Sequence, residues 1–148
     1  MRVSSTILIM GNEFTYCMSY HIPSDKEVTK MLVKVLKKAH TIQSQTFLKQ
    51  LIVQELHKND KTATVSAPRL RKLALQHPQI TLEIHSREGD PNKLLQGCPV
   101  CDHRLKQVKN LTIWGGVVTI EFQCPHCGYW TGKKKRVPTR YVFHYNKK

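Results

Sequence analysis

Apolar positions recur three and four residues apart through much of the chain after Pro23, and they mark out three helices. Ser24-Asp25-Lys26-Glu27 is a capping box: the Ser24 oxygen can accept from the Glu27 backbone N–H, and the Glu27 carboxylate can reach back to the Ser24 N–H. The helix this predicts runs to about Ala39, with Val28, Leu32, Val35, Leu36 and Ala39 on one face. Lys26, Lys30, Lys34, Lys37 and Lys38 line another, which reads as a solvated face in preference to a phosphate rail. A second helix spans about Ser44 to Lys58, capped by Ser44 and carrying Phe47, Leu48, Leu51, Ile52, Glu55 and Leu56 at helical spacing. A third follows Ser66 to Gln76. Pro68 sits in its first turn, where a missing N–H costs nothing, Leu70, Leu73 and Ala74 face inward, and Arg69, Arg71, Lys72 and Gln76 face out.

Strand patterns separate and follow these helices. Thr62–Val65 is short and β-branched, enough for a small strand. Residues 80–87, ITLEIHSR, alternate Ile80, Leu82 and Ile84 with Thr81, Glu83 and His85, the signature of a half-buried strand. The turn residues 88–92 predict a hairpin returning through Lys93-Leu94-Leu95. Further on, 106–113 and 117–123 flank Trp114-Gly115-Gly116, a second hairpin signal, and Tyr141, Phe143 and Tyr145 alternate on a strand over 140–145. Residues 1–23 read as an extension, either an edge strand at VSSTILIM or a loose segment, and Cys17 as a bystander with no CxxC partner.

Cysteine spacing changes this picture most. Cys98-Pro99-Val100-Cys101 and Cys124-Pro125-His126-Cys127 are two CxxC turns separated by 22 residues. Each turn aims two sulfurs at one point, so the pair makes a tetrahedral four-cysteine shell that suits one structural Zn²⁺. A closed four-sulfur shell keeps no open position for a reactive water. His103 and His126 lie beside this shell and read as supporting or surface groups. The lack of a signal or membrane-spanning pattern predicts a cytoplasmic protein, and in that reducing setting paired cysteines mean metal before disulfide.

Charge adds a partner. The chain of 148 residues has a formal net charge of +14, and residues 93–148 hold 11 Lys and Arg against 2 Asp and Glu. Such an excess predicts a polyanionic partner, and hence a nucleic acid. Lys133-Lys134-Lys135-Arg136 and Arg140 are candidate phosphate contacts, although a run of this kind also serves as a solubilising loop or a nuclear address. Tyr129-Trp130 either cover the metal cluster or offer a stacking surface, and coverage is the favoured reading. No P-loop, HExxH, GxSxG or dinucleotide-binding pattern is present, so no enzyme activity is predicted.

Two resemblances follow from these residues. Helix, helix, short strand, basic helix and hairpin over 25–96 resembles a winged helix-turn-helix. The two CPxC turns and three strands over 96–146 resemble a zinc ribbon, with Asp102 where that family often has glycine. The CPxC pair also resembles rubredoxin, which holds iron, although such carriers are typically acidic. Together the fold class is α+β, divided into an extension (1–23), a winged-helix-like domain (24–96) and a small all-β zinc ribbon (97–148).

This combination resembles archaeal-type transcriptional regulators that join the two modules. The resemblance implies duplex DNA as ligand, with Arg69, Arg71 and Lys72 on the recognition helix, backbone contacts from the hairpin and the Lys133–Arg136 loop, and a homodimer if the DNA site is palindromic. Two alternatives stand beside it. The two helices and basic four-cysteine ribbon resemble the zinc-ribbon subunit of archaeal ribonuclease P, which implies RNA. An adaptor docking on the transcription or translation machinery is the third.

Overall fold

The structure, a computed structural model, describes residues 20–92 and 95–147. It is a mixed α+β fold of three helices and two small antiparallel sheets. Helix α1 (Asp25–Ala39) starts at the expected capping box: the Ser24 N–H donates to Glu27 Oε2 at 2.9 Å, and the Glu27 N–H donates to Ser24 Oγ at 3.4 Å. Such a box stabilises a helix start by about 1 kcal/mol. His40 ends α1 at φ 60°, donating its N–H to Leu36 O at 2.7 Å. Strand β1 (Thr41–Ile42) follows, then α2 (Gln45–Leu56), capped by Ser44 Oγ, which accepts from the Phe47 N–H. Helix α3 (Ala67–Gln76) begins after Ser66 with Pro68 in its first turn.

Residues 62–65, expected as a strand, form none. Ala63 makes only an isolated bridge to His21. The short strand among the helices is β1, between α1 and α2, which has too few residues to show an alternation.

Strand β2 (Ile80–Glu88) matches its prediction, but its partner does not. The turn residue Asp90 forms as expected, its carboxylate accepting from the Asn92 N–H at 2.8 Å. Leu95 belongs to no strand, and Lys93 and Leu94 lie outside the described residues, as do Cys17 and the VSSTILIM segment. What pairs with β2 is β6 (Arg136–Tyr145), with Ile80 opposite Tyr145, Leu82 opposite Phe143 and Ile84 opposite Tyr141. β1 pairs with the other edge of β6 through Thr41–His144 and Ile42–Phe143, so the sheet order is β1–β6–β2.

The strand expected to complete the ribbon therefore belongs to the sheet beneath the helices. The reason is apolar burial. Phe143 is fully buried, and with Tyr145 it fills the space among Val28, Leu32, Leu36, Leu48, Ile52 and Leu70. The ribbon sheet offers no comparable apolar surface.

That second sheet has the order β3–β4–β5, from β3 (Lys106–Leu111), β4 (Val117–Gln123) and the two-residue β5 (Trp130–Thr131). A register shift between Val108 and Lys109 leaves Ile120 as the extra residue of a bulge. Pro138 lies inside β6 beside the shift at His85/Ser86, on a stretch whose far edge β1 does not reach, so its missing N–H breaks no pairing there. Among the described residues no helix is long and apolar enough to cross a membrane.

Candidate metal centre and basic surface

The two CPxC turns fold alike. In the first, the Cys98 N–H donates to His103 O at 2.9 Å and the Asp102 N–H donates to Cys98 O at 2.9 Å. In the second, the Cys124 N–H donates to Tyr129 O at 2.7 Å and the Gly128 N–H donates to Cys124 O at 3.1 Å. Each turn closes on a left-handed residue, Asp102 at φ 64° and Gly128 at φ 74°. Asp tolerates that conformation better than most side chains, so the Asp102 departure from glycine leaves the turn intact.

These turns bring the four sulfurs of Cys98, Cys101, Cys124 and Cys127 within 4.8 Å of one another, so they can hold one metal ion. The closest pairs, Cys98–Cys127 at 3.4 Å and Cys101–Cys124 at 3.5 Å, are too long for a disulfide of about 2.05 Å. A tetrahedron with metal–sulfur bonds of about 2.3 Å has edges of about 3.8 Å, which the observed separations bracket. The hydrogen bond from Cys127 holds the Cys98 thiol down at about 5, and the same contact pushes Cys127 up. Burial pushes Cys101 up to about 11. A cation that drew all four into thiolate form would release protons on binding.

The surroundings of the cluster tie it to the rest of the molecule. Val100 and Tyr129 are buried against the sulfurs, and Leu75 of α3, Leu82 and Ile84 of β2 and Tyr141 of β6 pack on the same cluster. The face of β2 and β6 that covers the helical core at its Ile80–Tyr145 end thus covers the metal turns at its Ile84–Tyr141 end. His103 and His126, one from each turn, stack with ring centroids 4.1 Å apart, and His103 Nδ1 lies 3.1 Å from Cys101 O.

Helix α3 meets the first turn directly. Arg71 donates from Nε to Val100 O at 3.2 Å and from Nη1 to Gln45 Oε1 at 2.6 Å, and its guanidinium lies 4.6 Å from the Tyr141 ring centre. Lys72 pairs with Asp102 at 2.7 Å, and that contact lowers the Asp102 carboxyl. Arg69 is turned to the start of α1, where Nε donates to Asp25 Oδ1 at 2.9 Å and Nη2 to Pro23 O at 2.7 Å. Its Nη1 is buried with no hydrogen-bond partner among the described residues. The three cations read from the sequence as DNA contacts are therefore all engaged within the chain. Lys72, whose ion pair with Asp102 is exposed to solvent, is the most readily exchanged.

The Lys133–Lys135 run is an ordered connection between β5 and β6. Thr131, fully buried, accepts the Arg136 N–H at 2.9 Å and directs its own hydroxyl to Lys134 O. Gly89 donates its N–H to Lys135 O at 2.6 Å, and a Cβ at Gly89 would meet Val137 Cγ2 at 2.6 Å, so this crossing requires glycine. Lys134 pairs with Glu88 of β2 at 2.9 Å, an acid that a reading of the ribbon alone leaves out. Lys135 lies over the Phe122 ring, and Arg136 stacks on Trp130 at 4.1 Å while its Nε donates to Ser86 Oγ. Tyr129 covers the cluster as expected and donates its hydroxyl to Arg136 O, whereas Trp130 is half exposed. Arg140 is exposed on β6 opposite His85.

Sequence reasoning missed the link between Arg71 and Val100, which joins residues 29 apart and leaves no local pattern. It also treated Trp114 only as part of a turn signal. Two bulky apolar residues beside a glycine pair at a hairpin turn have nowhere to be buried, and that signal was present. Comparison with protein families, curated proteins and solved structures found no match.

Proposed function

We propose that the protein is a nucleic-acid-binding protein, a winged helix-turn-helix that carries a Zn²⁺-stapled ribbon within its wing, and that it acts on duplex DNA as a transcriptional regulator. The observation that carries this reading is the strand order. Helix, strand, two helices and two strands, with the sheet order β1–β6–β2, support a winged-helix reading in which residues 89–135 are inserted between the two wing strands. This differs from two modules in tandem, because the ribbon becomes an extension of the wing. Zn²⁺ is the favoured ion for four thiolates in tetrahedral array. The net charge of +14 supports a polyanionic ligand.

In this reading Arg69 and Arg71 hold α3 in place, and Lys72 and Gln76, exposed on its outer face, approach the groove. Lys133, Lys135 and Arg140 supply backbone contacts. A second reading is structured RNA. It is favoured by the internal engagement of Arg69 and Arg71, which leaves α3 few groups for reading base edges and shifts weight to shape and phosphate contacts.

A competition titration of the full chain loaded with Zn²⁺, duplex DNA against structured RNA at two salt concentrations, tests both. Duplex preference supports the regulator, and RNA preference replaces it with a role in RNA processing or translation. Replacing Lys133 and Lys135 with Ala is expected to lower the salt slope by about two. Weak binding to both polymers would leave an adaptor that docks on the transcription or translation machinery.

A further inference from the structure

The hairpin joining β3 and β4 carries surface that these phosphate and groove contacts do not use. Its tip is a well-formed turn. Gly115 donates its N–H to Thr112 O at 3.0 Å, Thr112 to Gly116 O at 2.7 Å, and Gly116 to Thr112 Oγ1 at 3.0 Å. Gly115 sits at φ 78°, a conformation that suits glycine. The turn lifts Ile113 and Trp114 into solvent, 93% and 89% exposed, above the exposed cross-strand pair Leu111–Val117. A contiguous apolar tip on an ordered turn marks an interaction site.

The chemistry around the tip selects its occupant. On the strand leading to it, alternation puts Gln107 and Lys109 on the same face as Leu111, and Lys106 and Asn110 on the other, all exposed. Across β3 and β4 the single acid is Glu121. A second copy of this chain would bring a further formal charge of +14 towards the first, which opposes self-association. An anionic lipid surface would match the lysines and the indole but gives the amides little to pair with. Unpaired nucleotides match all three: a phosphate for Lys109, a base edge for the Gln107 amide, and an apolar ring face for the indole.

We infer that the β3–β4 tip is a stacking site for an unpaired base, with Trp114 against the base and Lys109 along the adjoining phosphate. The inference rests on the nucleic-acid reading above. It adds that the ligand presents a single-stranded, looped or opened segment next to the part gripped elsewhere.

The test compares the Zn²⁺-loaded full chain with Trp114→Ala and Trp114→Phe. The probes are a labelled single-stranded oligonucleotide and a blunt duplex of the same sequence, read by anisotropy. Trp114→Ala is expected to weaken single-strand binding by about ten-fold to a hundred-fold and to leave duplex binding within about two-fold, with Trp114→Phe close to wild type. Unchanged single-strand affinity in Trp114→Ala would overturn the inference and leave the nucleic-acid reading standing. Equal losses on both probes would also overturn it, making the tip a general contact. Loss of phosphatidylserine-vesicle binding or of self-association, with oligonucleotide affinity intact, would reassign the tip to a membrane or a second copy. A wild-type chain that binds neither probe sinks the nucleic-acid reading itself.

Discussion

The helical core and the ribbon are held together by different physics. In the core, sixteen buried residues from the three helices, strands β1, β2 and β6 and the 63–65 segment form one cluster, and every side chain in it is hydrocarbon or aromatic. In the ribbon, strands β3 and β4 have no buried residue, and the buried cluster is three cysteines with Val100 and Tyr129. Removing apolar surface from water stabilises the first region. The second has too little such surface to offset its chain entropy, and four sulfurs that can hold one metal ion offer a way to supply the difference. The contrast teaches that a chain can insert a poorly buried module into a well-buried one when the module has its own staple.

The largest test of this contrast removes the staple. Cys98→Ser or Cys124→Ser, or chelation of the metal, is expected to unfold residues 95–135 while the far-UV helical signal persists. Structural Zn²⁺ contributes on the order of 10 kcal/mol to such a site. Simultaneous loss of both signals would erase the distinction. Phe143→Ala probes the other side, deleting a fully buried ring at an expected cost of about 3–5 kcal/mol. The helical transition should move to lower denaturant while the thiolate absorption of a Co²⁺-substituted site remains.

Smaller changes sharpen the comparison where the regions touch. Arg71→Ala leaves Val100 O and Gln45 Oε1 without their donor, at a cost of about 1–3 kcal/mol, and is expected to separate the two melting transitions further. Arg71→Lys should not restore them, because an ammonium lacks the fork that spans both acceptors. The smallest effect lies within the core. Glu55 accepts from Lys34 of α1 and from Lys58, and these contacts lower its carboxyl to about 2. Its folded value lies below the unfolded value, so its contribution is present above about pH 4.5 and fades as pH falls towards 2. The urea midpoint of Glu55→Gln should trail wild type slightly at pH 6 and converge with it at the acid end of that window.

Local chemistry was legible in the sequence, and long-range pairing was not. The Ser24 and Ser44 caps placed the helix starts, the CPxC turns placed the four sulfurs, and Trp114-Gly115-Gly116 placed the hairpin. Each depends on residues within a few positions of one another. The alternation of Tyr141, Phe143 and Tyr145 reported a strand and its buried face, yet it reads the same whichever sheet receives that strand. A strand of two residues such as β1 has no period to detect. The engagement of Arg69 with Asp25 joins residues 44 apart, and only the packed helices reveal it.

The position of β6 has a consequence for how the chain reaches this structure. β2 ends at Glu88 and β6 begins at Arg136, so 47 residues separate two strands that must meet. Closing so long a flexible loop is slow and entropically unfavourable. A 97–131 segment that folds first shortens it, because only residues 89–96 and 132–135 are then left to close. By the logarithmic dependence on loop length, this preordering lowers the closure cost by about 1 kcal/mol. A metal ion on the four sulfurs would thus favour the meeting of β2 and β6 without being required for the helices to form.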